Sequence, residues 1–395
     1  MTINKAFKFR IYPTEPQKEQ LARQFGASRF LFNYFLRKRM DYYAAHKGEK
    51  KHGLNYFDTT RMLTQLKRTE EYRWLCEANS QSLQASLRHL DVAYNRFFNK
   101  CGQFPRFKSK RAKQSFTVPQ HFALDVESKW LSVPKIGAIK IVPHRRVEGT
   151  VRSVTITKTP AGKYFASLLC EVEWTTPKHP HQRRVGVDLG LKEFAVTSEG
   201  ELIESPLFFR RSELELARWQ RRLARRQVGS HRRERAKLKV ARCHERIANQ
   251  RNDFLHKLSR RLVDENQAIC LEDLNVKGMT ANHCLAKSIQ DSSWSEFVRQ
   301  LEYKASWYGS SVVKVDRFFP SSKRCHVCGY IKEDLTLADR EWTCPECGIQ
   351  HHRDTNAAKN ILLFGKECTA GHAETQRAGR HRVRKPSRGT AKPTS

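Results

Sequence analysis

Two cysteine pairs constrain the fold of this chain more than any other feature. Two residues lie between the cysteines of each pair, which are Cys325 with Cys328 and Cys344 with Cys347. This spacing lets both thiolates of a tight turn reach one tetrahedral ion, and the doubled pattern is that of a zinc ribbon. Because four cysteines close the coordination sphere, the pattern predicts one structural Zn²⁺ rather than a catalytic one. The spare candidate ligands nearby are His326, His351 and His352.

The charge of the chain indicates a polyanionic partner. Its 395 residues include 74 Lys and Arg against 40 Asp and Glu, for a formal net charge of +34. Such an excess repels itself unless a partner neutralises it, and a phosphate backbone is the commonest such partner. The basic residues are spread along the chain among aromatic side chains, which argues against a membrane surface as the partner.

The sequence also predicts the compartment. No window approaches the ~20 apolar residues of a membrane span. The first residues run into a strand pattern without an apolar signal core, so we expect a cytoplasmic protein with no membrane partner. In that reducing compartment, close cysteine pairs are better interpreted as metal ligands than as disulfides.

The first half of the chain alternates between two kinds of periodicity. Residues 5–12 alternate apolar and basic residues, which predicts a half-exposed strand. Residues 14–100 are mostly helical by pattern, and short strands fill about 115–174, so we expect a small antiparallel barrel or sheet with the helices inserted. Aromatic residues at helical spacing are normally core rather than platforms for bases. Those in the helical segment are Tyr34, Tyr42, Tyr43, Tyr72, Trp74, Tyr94, Phe97 and Phe98.

Three acids stand out in the second half, where strands alternate with helices as in an α/β sheet. Asp188 lies in an apolar strand, where an acid is costly unless it is paired or bound to metal. Its neighbours Gly186 and Gly190 would let a ligand approach the backbone. Glu272 ends another apolar strand, and Asp354 precedes a helix. Ligands gather at strand ends in such sheets, and carboxylates that hold two Mg²⁺ (or Mn²⁺) ions support phosphodiester hydrolysis.

Each of these acids also has a simple structural interpretation. A lone acid at a strand end is usually solvated, and Asp354 could be the N-cap of its helix. Asp273 competes directly with Glu272, and the pattern alone does not choose between them.

The ordered set of motifs resembles the TnpB proteins of bacterial and archaeal insertion sequences, the OrfB-type transposases, which are similar to type V CRISPR effectors. The resemblance covers roughly residues 5–365. It rests on residues 8–13 (KFRIYP), 104–108 (FPRFK), 186–190 (GVDLG), 271–274 (LEDL), the four cysteines, and 353–361 (RDTNAAKNI). One departure is His352, at a position where the family often has an aspartate.

The resemblance implies a multidomain α+β fold with an RNase H-like RuvC nuclease domain. The implied ranges are 1–13 and 102–178 for a wedge-like β-barrel, 14–101 for an inserted helical recognition bundle, 179–319 and 351–365 for the RuvC-like domain, and 320–350 for an inserted zinc ribbon. Residues 366–395 are rich in Arg, Lys, Gly, Thr and Pro and have almost no apolar periodicity, so their composition predicts a disordered basic tail.

The resemblance further implies an RNA-guided endonuclease. Family members use a guide RNA from the transposon end to find double-stranded DNA beside a short adjacent motif, and they cut both strands at one RuvC-like site. The family pattern places the catalytic, magnesium-binding acids on Asp188, Glu272 and Asp354, which selects Glu272 over Asp273. We expect a bacterial or archaeal protein that meets DNA at the nucleoid, monomeric in its RNA complex. A catalytically silent RNA-guided regulator and a transposase proper are the alternatives.

Where basic residues are dense and few acids accompany them, we expect their side chains to contact phosphates rather than to form a solvated charged face. The predicted nucleic-acid contacts are Arg106, Lys108, Arg221, Arg222, Arg225, Arg226, Arg232 and Arg233.

Overall fold

The computed structural model describes residues 2–49, 53–336 and 338–365, so the disorder predicted for 366–395 lies outside the described residues. The chain divides into two compact units. The first comprises Met1–Thr175 and Trp219–Arg242, and the second comprises Thr176–Arg218 and Cys243–Ser395. Helices and strands are mixed along the chain, which confirms the mixed α/β class.

A seven-stranded antiparallel sheet forms the base of the first unit. Its strands are β1 (Thr2–Tyr12), β2 (Gln114–Val118), β3 (Ala123–Asp125), β4 (Trp130–Val133), β5 (Gly137–Val142), β6 (Thr150–Lys158) and β7 (Tyr164–Glu173). They are ordered β2-β6-β7-β1-β5-β4-β3, so the first strand of the chain completes the middle of the sheet. The predicted alternation is present in β1, where Phe7, Phe9 and Ile11 are buried in the core.

Helices lie between β1 and β2 in sequence. They are α1 (Glu15–Ala45), α2 (Tyr56–Leu66), a 3-10 turn (Glu70–Glu77) and α3 (Ser80–Phe98). Leucine and phenylalanine side chains such as Leu31, Phe35, Leu83 and Leu87 form their shared core.

The prediction that the aromatic residues of these helices are core is only partly right. Three of them, Tyr34, Tyr72 and Tyr94, pack against the helical core. The prediction is wrong for four others. Helical spacing places side chains on one side of a helix, but it does not determine whether another part of the protein packs against that side. The exposed residues are Tyr43 at 50%, Trp74 at 42%, Phe97 at 36% and Phe98 at 69%.

A five-stranded mixed sheet organises the second unit. Its strands are β8 (Arg184–Leu189), β9 (Glu193–Thr197), β10 (Leu202–Glu204), β11 (Ala268–Glu272) and β12 (Ser311–Val315). Their order is β10-β9-β8-β11-β12, with β8, β11 and β12 parallel and the other two antiparallel. Apolar side chains of β8, β9 and β11 pack against helical residues such as Leu255, Trp294 and Phe297.

The remaining elements follow this sheet and its connections. The helices are α4 (Phe208–Ala224), α5 (His231–Glu265), α6 (Val276–Met279), α7 (His283–Ser292), α8 (Trp294–Tyr308) and α9 (353–365), and the last two strands are β13 (Glu341–Thr343) and β14 (Gln350–His352). Strands β13 and β14 pair as a small antiparallel hairpin. None of the helices in the described ranges combines the length and the apolar character that a membrane span requires.

Candidate active site and four-cysteine cluster

The structure brings the three predicted acids together. Asp188 lies near the end of β8, and Glu272 is the last residue of the neighbouring parallel strand β11. The register pairs Val187 with Leu271, so the two acids that follow come to the same level of the sheet. Asp354 lies in the first turn of α9, and the charges of both Glu272 and Asp354 act on Asp188.

The electrostatics of this acidic cluster are unfavourable for three free carboxylates. The pKa of Asp188 is raised from 3.8 to about 7, first by burial and then by the charges of Glu272 and Asp354, while Arg353 acts in the opposite direction. Burial also raises the pKa of Glu272, whereas a hydrogen bond from Ser321 lowers it. A hard divalent cation would relieve this repulsion, so the donor set fits Mg²⁺ or Mn²⁺.

Two of the acids have specific partners. The Ser321 hydroxyl donates to Oε1 of Glu272. Nη1 of Arg340 donates to Oδ2 of Asp354 at 3.0 Å. The rival acid, Asp273, forms an ion pair with Arg317 instead. Glu272 rather than Asp273 therefore takes part in the acidic cluster.

Gly186 allows α9 to reach the strand that carries Asp188. A Cβ at this position would lie 2.0 Å from the backbone oxygen of Ala358 and 2.8 Å from the backbone nitrogen of Leu362. Side chains never approach so closely, so a helix can pack here only against a glycine. The expectation that Gly186 admits a ligand was wrong, because the space above it is filled by the protein's own helix.

The four cysteines converge as the spacing predicts. Sγ of Cys325 lies 3.7 Å from that of Cys347, and Sγ of Cys328 lies 3.5 Å from that of Cys344. Four thiolates at about 2.3 Å from one tetrahedral zinc ion stand about 3.8 Å apart, so this set fits zinc. Among the described His, Cys, Asp and Glu residues, only this group has all its ligand atoms within 4.8 Å of one another. The oxygens of Asp188, Glu272 and Asp354 are thus spread more widely than the sulfurs.

The three candidate histidines take different positions around the cysteines. Nε2 of His351, which is buried, lies 3.1 Å from Sγ of Cys325, where it can support a thiolate from outside the ligand set. Nδ1 of His326 contacts Oδ1 of Asn356 at 3.0 Å. His352 is exposed, and its Nδ1 lies 3.5 Å from the hydroxyl of Thr355.

Two asparagines that the sequence analysis missed join α9 to the cysteine-bearing segment. Nδ2 of Asn356 donates to the Arg324 carbonyl at 2.7 Å, and Nδ2 of Asn360 donates to the Ser321 carbonyl at 2.8 Å. Both side chains are buried. The available signal was a pair of asparagines four residues apart, beside the apolar residues Ala357 and Ile361, because amides that are buried among apolar residues need partners.

The predicted nucleic-acid contacts separate into two groups. The side chains of the first group already contact other groups of the protein. Nη1 of Arg233 donates to the carbonyls of Leu223 and Arg226 at 2.8 and 2.7 Å and so caps the end of α4. Nζ of Lys108 lies 3.9 Å from the centre of the Phe32 ring, and burial lowers the pKa of this lysine.

Two more of the predicted contacts have looser internal partners, since Arg222 lies over Trp219 and Arg106 donates to Gln103. The second group is exposed and forms no ion pair within the part of the chain that the structure describes. It consists of Arg221, Arg225, Arg226 and Arg232.

Three family models match parts of the chain. Residues 167–283 match OrfB_IS605, described as "Probable transposase", and residues 294–361 match the Cas12f1-like TNB domain. Residues 1–48 match a helix-turn-helix domain model of the same OrfB group. In the structure, this last range forms a strand followed by one long helix.

Relatives match nearly the whole chain. A protein of Streptomyces pristinaespiralis named "Putative RNA-guided DNA endonuclease" is 40% identical, over 98% of each chain. The protein "Putative RNA-guided DNA endonuclease InsQ" of Escherichia coli (strain K12) is 34% identical, over 92% of this chain and 93% of its own. Among solved structures, "Cryo-EM structure of the Cas12f1-sgRNA-target DNA complex" shares the fold with a TM-score of 0.56 at 12% identity, covering 91% of this chain and 99% of that one.

These matches, together with the acidic cluster on an α/β sheet, define an enzyme of the nuclease class. The chain belongs to the TnpB family, whose members are related to the type V CRISPR effectors.

Proposed function

We propose that this chain is a transposon-encoded, RNA-guided endonuclease that cuts double-stranded DNA beside a short adjacent motif. The cluster of Asp188, Glu272 and Asp354 at one end of the mixed sheet carries the proposal. Its full-length relatives bear the name of this activity. The net charge of +34 suits a protein that holds both a guide RNA and a DNA target.

The three carboxylates would hold two Mg²⁺ (or Mn²⁺) ions. When bound, such ions supply an activated water and stabilise the charge that develops on the leaving oxygen of the phosphodiester. Because burial raises the pKa of both Asp188 and Glu272, protons compete with the metal ions for these carboxylates. Ser321 fixes one oxygen of Glu272 by a hydrogen bond, which limits the rotation of that carboxylate.

The four cysteines would hold one structural zinc ion in the ribbon at 320–350. The domain ranges predicted from the sequence are part of this proposal. The sheet of β1 to β7 with its inserted helices supports a wedge-like barrel with a recognition insertion. The mixed sheet of β8 to β12, with acids at its strand ends, supports a RuvC-like domain that continues in α9.

The exposed arginines near the α4–α5 turn would contact phosphates of the guide RNA or of its duplex with DNA. Contacts of this kind position the nucleic acid but carry little sequence information. The choice of target would therefore be left to base pairing, while the protein reads shape and the short adjacent motif. We propose that one copy of the chain acts in each RNA complex.

The first test is to purify the protein from cells that carry its native flanking DNA and to sequence the RNA that accompanies it. We expect one abundant RNA from the element end with a variable 3′ segment. DNA matching that segment should then be cut when Mg²⁺ is added. The Asp188→Asn variant should bind the same RNA without cutting. Heterogeneous RNA, or none, would contradict RNA guidance, and cutting by Asp188→Asn would contradict the site assignment.

A further inference from the structure

Four aromatic rings form a partly exposed group at the end of α3, which we call the aromatic cluster: Tyr94, Phe97, Phe98 and Phe104. Phe104 meets both Tyr94 and Phe97 edge-on, at 5.6 and 5.3 Å between ring centres. Phe98 lies 6.1 Å from Tyr94 and is nearly parallel to it. Of these rings, Phe98 is 69% exposed and Phe104 is 40% exposed. Phe98 and Phe104 therefore present aromatic surface to solvent, whereas Tyr94 also packs against the helical core.

The aromatic cluster lines a cavity of about 670 Å³ between α1, α3 and the segment that precedes α2. Amide side chains of Asn55 and Asn95 and the side chain of Tyr43 line the same cavity. A concave surface with aromatic walls and a few polar groups is the usual form of a site for a flat, polar ring.

The chain that follows Asp91 is rich in cations. Residues 92–113 contain seven basic residues and no acid. The basic residues are Arg96, Lys100, Arg106, Lys108, Lys110, Arg111 and Lys113. Cations interleaved with exposed aromatic rings are the combination that binds single-stranded nucleic acid, because cations meet the phosphates and rings stack on the bases.

One buried arginine neutralises the acid that lines the cavity. Arg39 lines the cavity and is 6% exposed. Its Nη2 donates to Oδ1 of Asp91 at 2.9 Å, and its guanidinium lies over the Tyr94 ring. Its Nε, however, is buried without a hydrogen-bond partner among the residues that the structure describes. Because Asp91, the acid of this cavity, is already paired with Arg39, its charge is balanced and does not repel an incoming phosphate.

We propose that the aromatic cluster and its cavity bind unpaired nucleotides of a single-stranded RNA. Bases stack on Phe98 and Phe104, and the basic residues of 92–113 meet the phosphates. Oδ1 of Asn55 caps α2 and Nδ2 of Asn95 donates to Asp91. Nδ2 of Asn55 can still donate to a 2′-hydroxyl and Oδ1 of Asn95 can still accept from one, which selects RNA over DNA. This inference rests on the proposed function and adds where an unpaired part of the RNA is held.

The test compares two phenylalanines of equal exposure in the full chain, purified free of nucleic acid and studied without Mg²⁺. Phe98→Ala removes a stacking face, and Phe57→Ala removes a ring that is 70% exposed but lies outside the cavity. Phe98→Trp keeps a stacking face. Fluorescence anisotropy measures the Kd for an unstructured RNA of about 12 nucleotides, a common site size. DNA of the same sequence and an RNA duplex serve as comparison ligands.

We expect Phe98→Ala to raise the Kd for single-stranded RNA about 5-fold or more, the factor that corresponds to loss of one stacked base. Phe57→Ala and Phe98→Trp should leave it within about 2-fold, within the scatter of a surface substitution. The Kd for duplex RNA should not change, because paired bases offer no free face.

Three outcomes overturn the proposal. If Phe98→Ala and Phe57→Ala raise the Kd for single-stranded RNA equally, the aromatic cluster is not a stacking surface. If Phe98→Ala raises the Kd for RNA and the Kd for DNA equally, the cavity does not select RNA. Loss of self-association by Phe98→Ala, measured by light scattering with RNA binding intact, assigns the cluster to a second copy of the chain. This RNA-binding test and the cleavage test can fail independently. If the chain cuts guided DNA but does not show these changes in Kd, only the inference about the aromatic cluster is refuted. If it shows these changes in Kd but does not cut guided DNA, only the proposed function is refuted.

Discussion

Replacing Asp188 by asparagine should stabilise the metal-free protein while it abolishes cleavage. The pKa of Asp188 is raised from 3.8 to about 7 in the folded chain. The folded state thus holds this proton more tightly than the unfolded state does. The favourable contribution is complete below pH ~4 and is lost as the pH rises through about 7. At 1.36 kcal/mol per pKa unit, a shift of about three units lowers the free energy of unfolding by about 4 kcal/mol at pH 8.

Urea unfolding without Mg²⁺, at pH 8 and at pH 5.5, measures this effect. We expect Asp188→Asn to exceed the wild type in stability by up to about 4 kcal/mol at pH 8 and by about 2 kcal/mol less at pH 5.5. Added Mg²⁺ should stabilise the wild type at pH 8 far more than the variant, because binding to the folded state alone raises its stability.

The neighbouring acid provides a matched control. Asp273 forms a solvent-exposed ion pair with Arg317, so Asp273→Asn should change stability by less than about 1 kcal/mol. If the wild type and Asp188→Asn have the same pH dependence of stability, the three acids do not form a coupled cluster and the reasoning fails.

Three further predictions follow from packing and hydrogen bonds. Gly186→Ala places a Cβ 2.0 Å from the Ala358 oxygen and should cost about 1–3 kcal/mol or more, whereas Gly26→Ala, inside α1 with nothing within 4 Å, should stabilise by about 0.5–1 kcal/mol. Urea midpoints compare the two, and equal midpoints would contradict the close packing of α9. Cys325→Ser should lower both the zinc content by native mass spectrometry and the melting temperature, and full zinc occupancy would argue against a four-thiolate site. Arg233→Gln should lower the melting temperature through the lost cap of α4. Unchanged melting with weaker, less salt-dependent RNA binding would instead make Arg233 a phosphate contact.

The sequence pattern located the acidic strands but not the partner of each acid. Both Glu272 and Asp273 end an apolar strand, and only the family resemblance chose between them. The structure shows the physical difference, because Glu272 shares the cluster with Asp188 while Asp273 meets Arg317. That distinction depends on which strand lies next to β11. Strand order is a long-range property that no local spacing encodes.

Other features were hidden because a residue type does not reveal its partner. A count of charges treats Arg233 like the exposed arginines around it, although its guanidinium caps a helix. Helical spacing treats Phe98 like Tyr34, although one ring is exposed and the other packs on the core. The four cysteines were easier to predict, because both ligands of each pair come from one turn.

The close packing of α9 against Gly186 has a consequence for the order in which the acidic cluster is assembled during synthesis of the chain. Domains fold as they leave the ribosome, beginning from the N-terminal side. The strands that carry Asp188 and Glu272 can pair well before α9 has been translated, but the surface above Gly186 stays uncovered until then. A nascent chain therefore lacks Asp354, and with it one of the three acids of the cluster, until α9 has been made. Under the proposed function, cleavage would begin only after α9 has docked on the strand that carries Asp188.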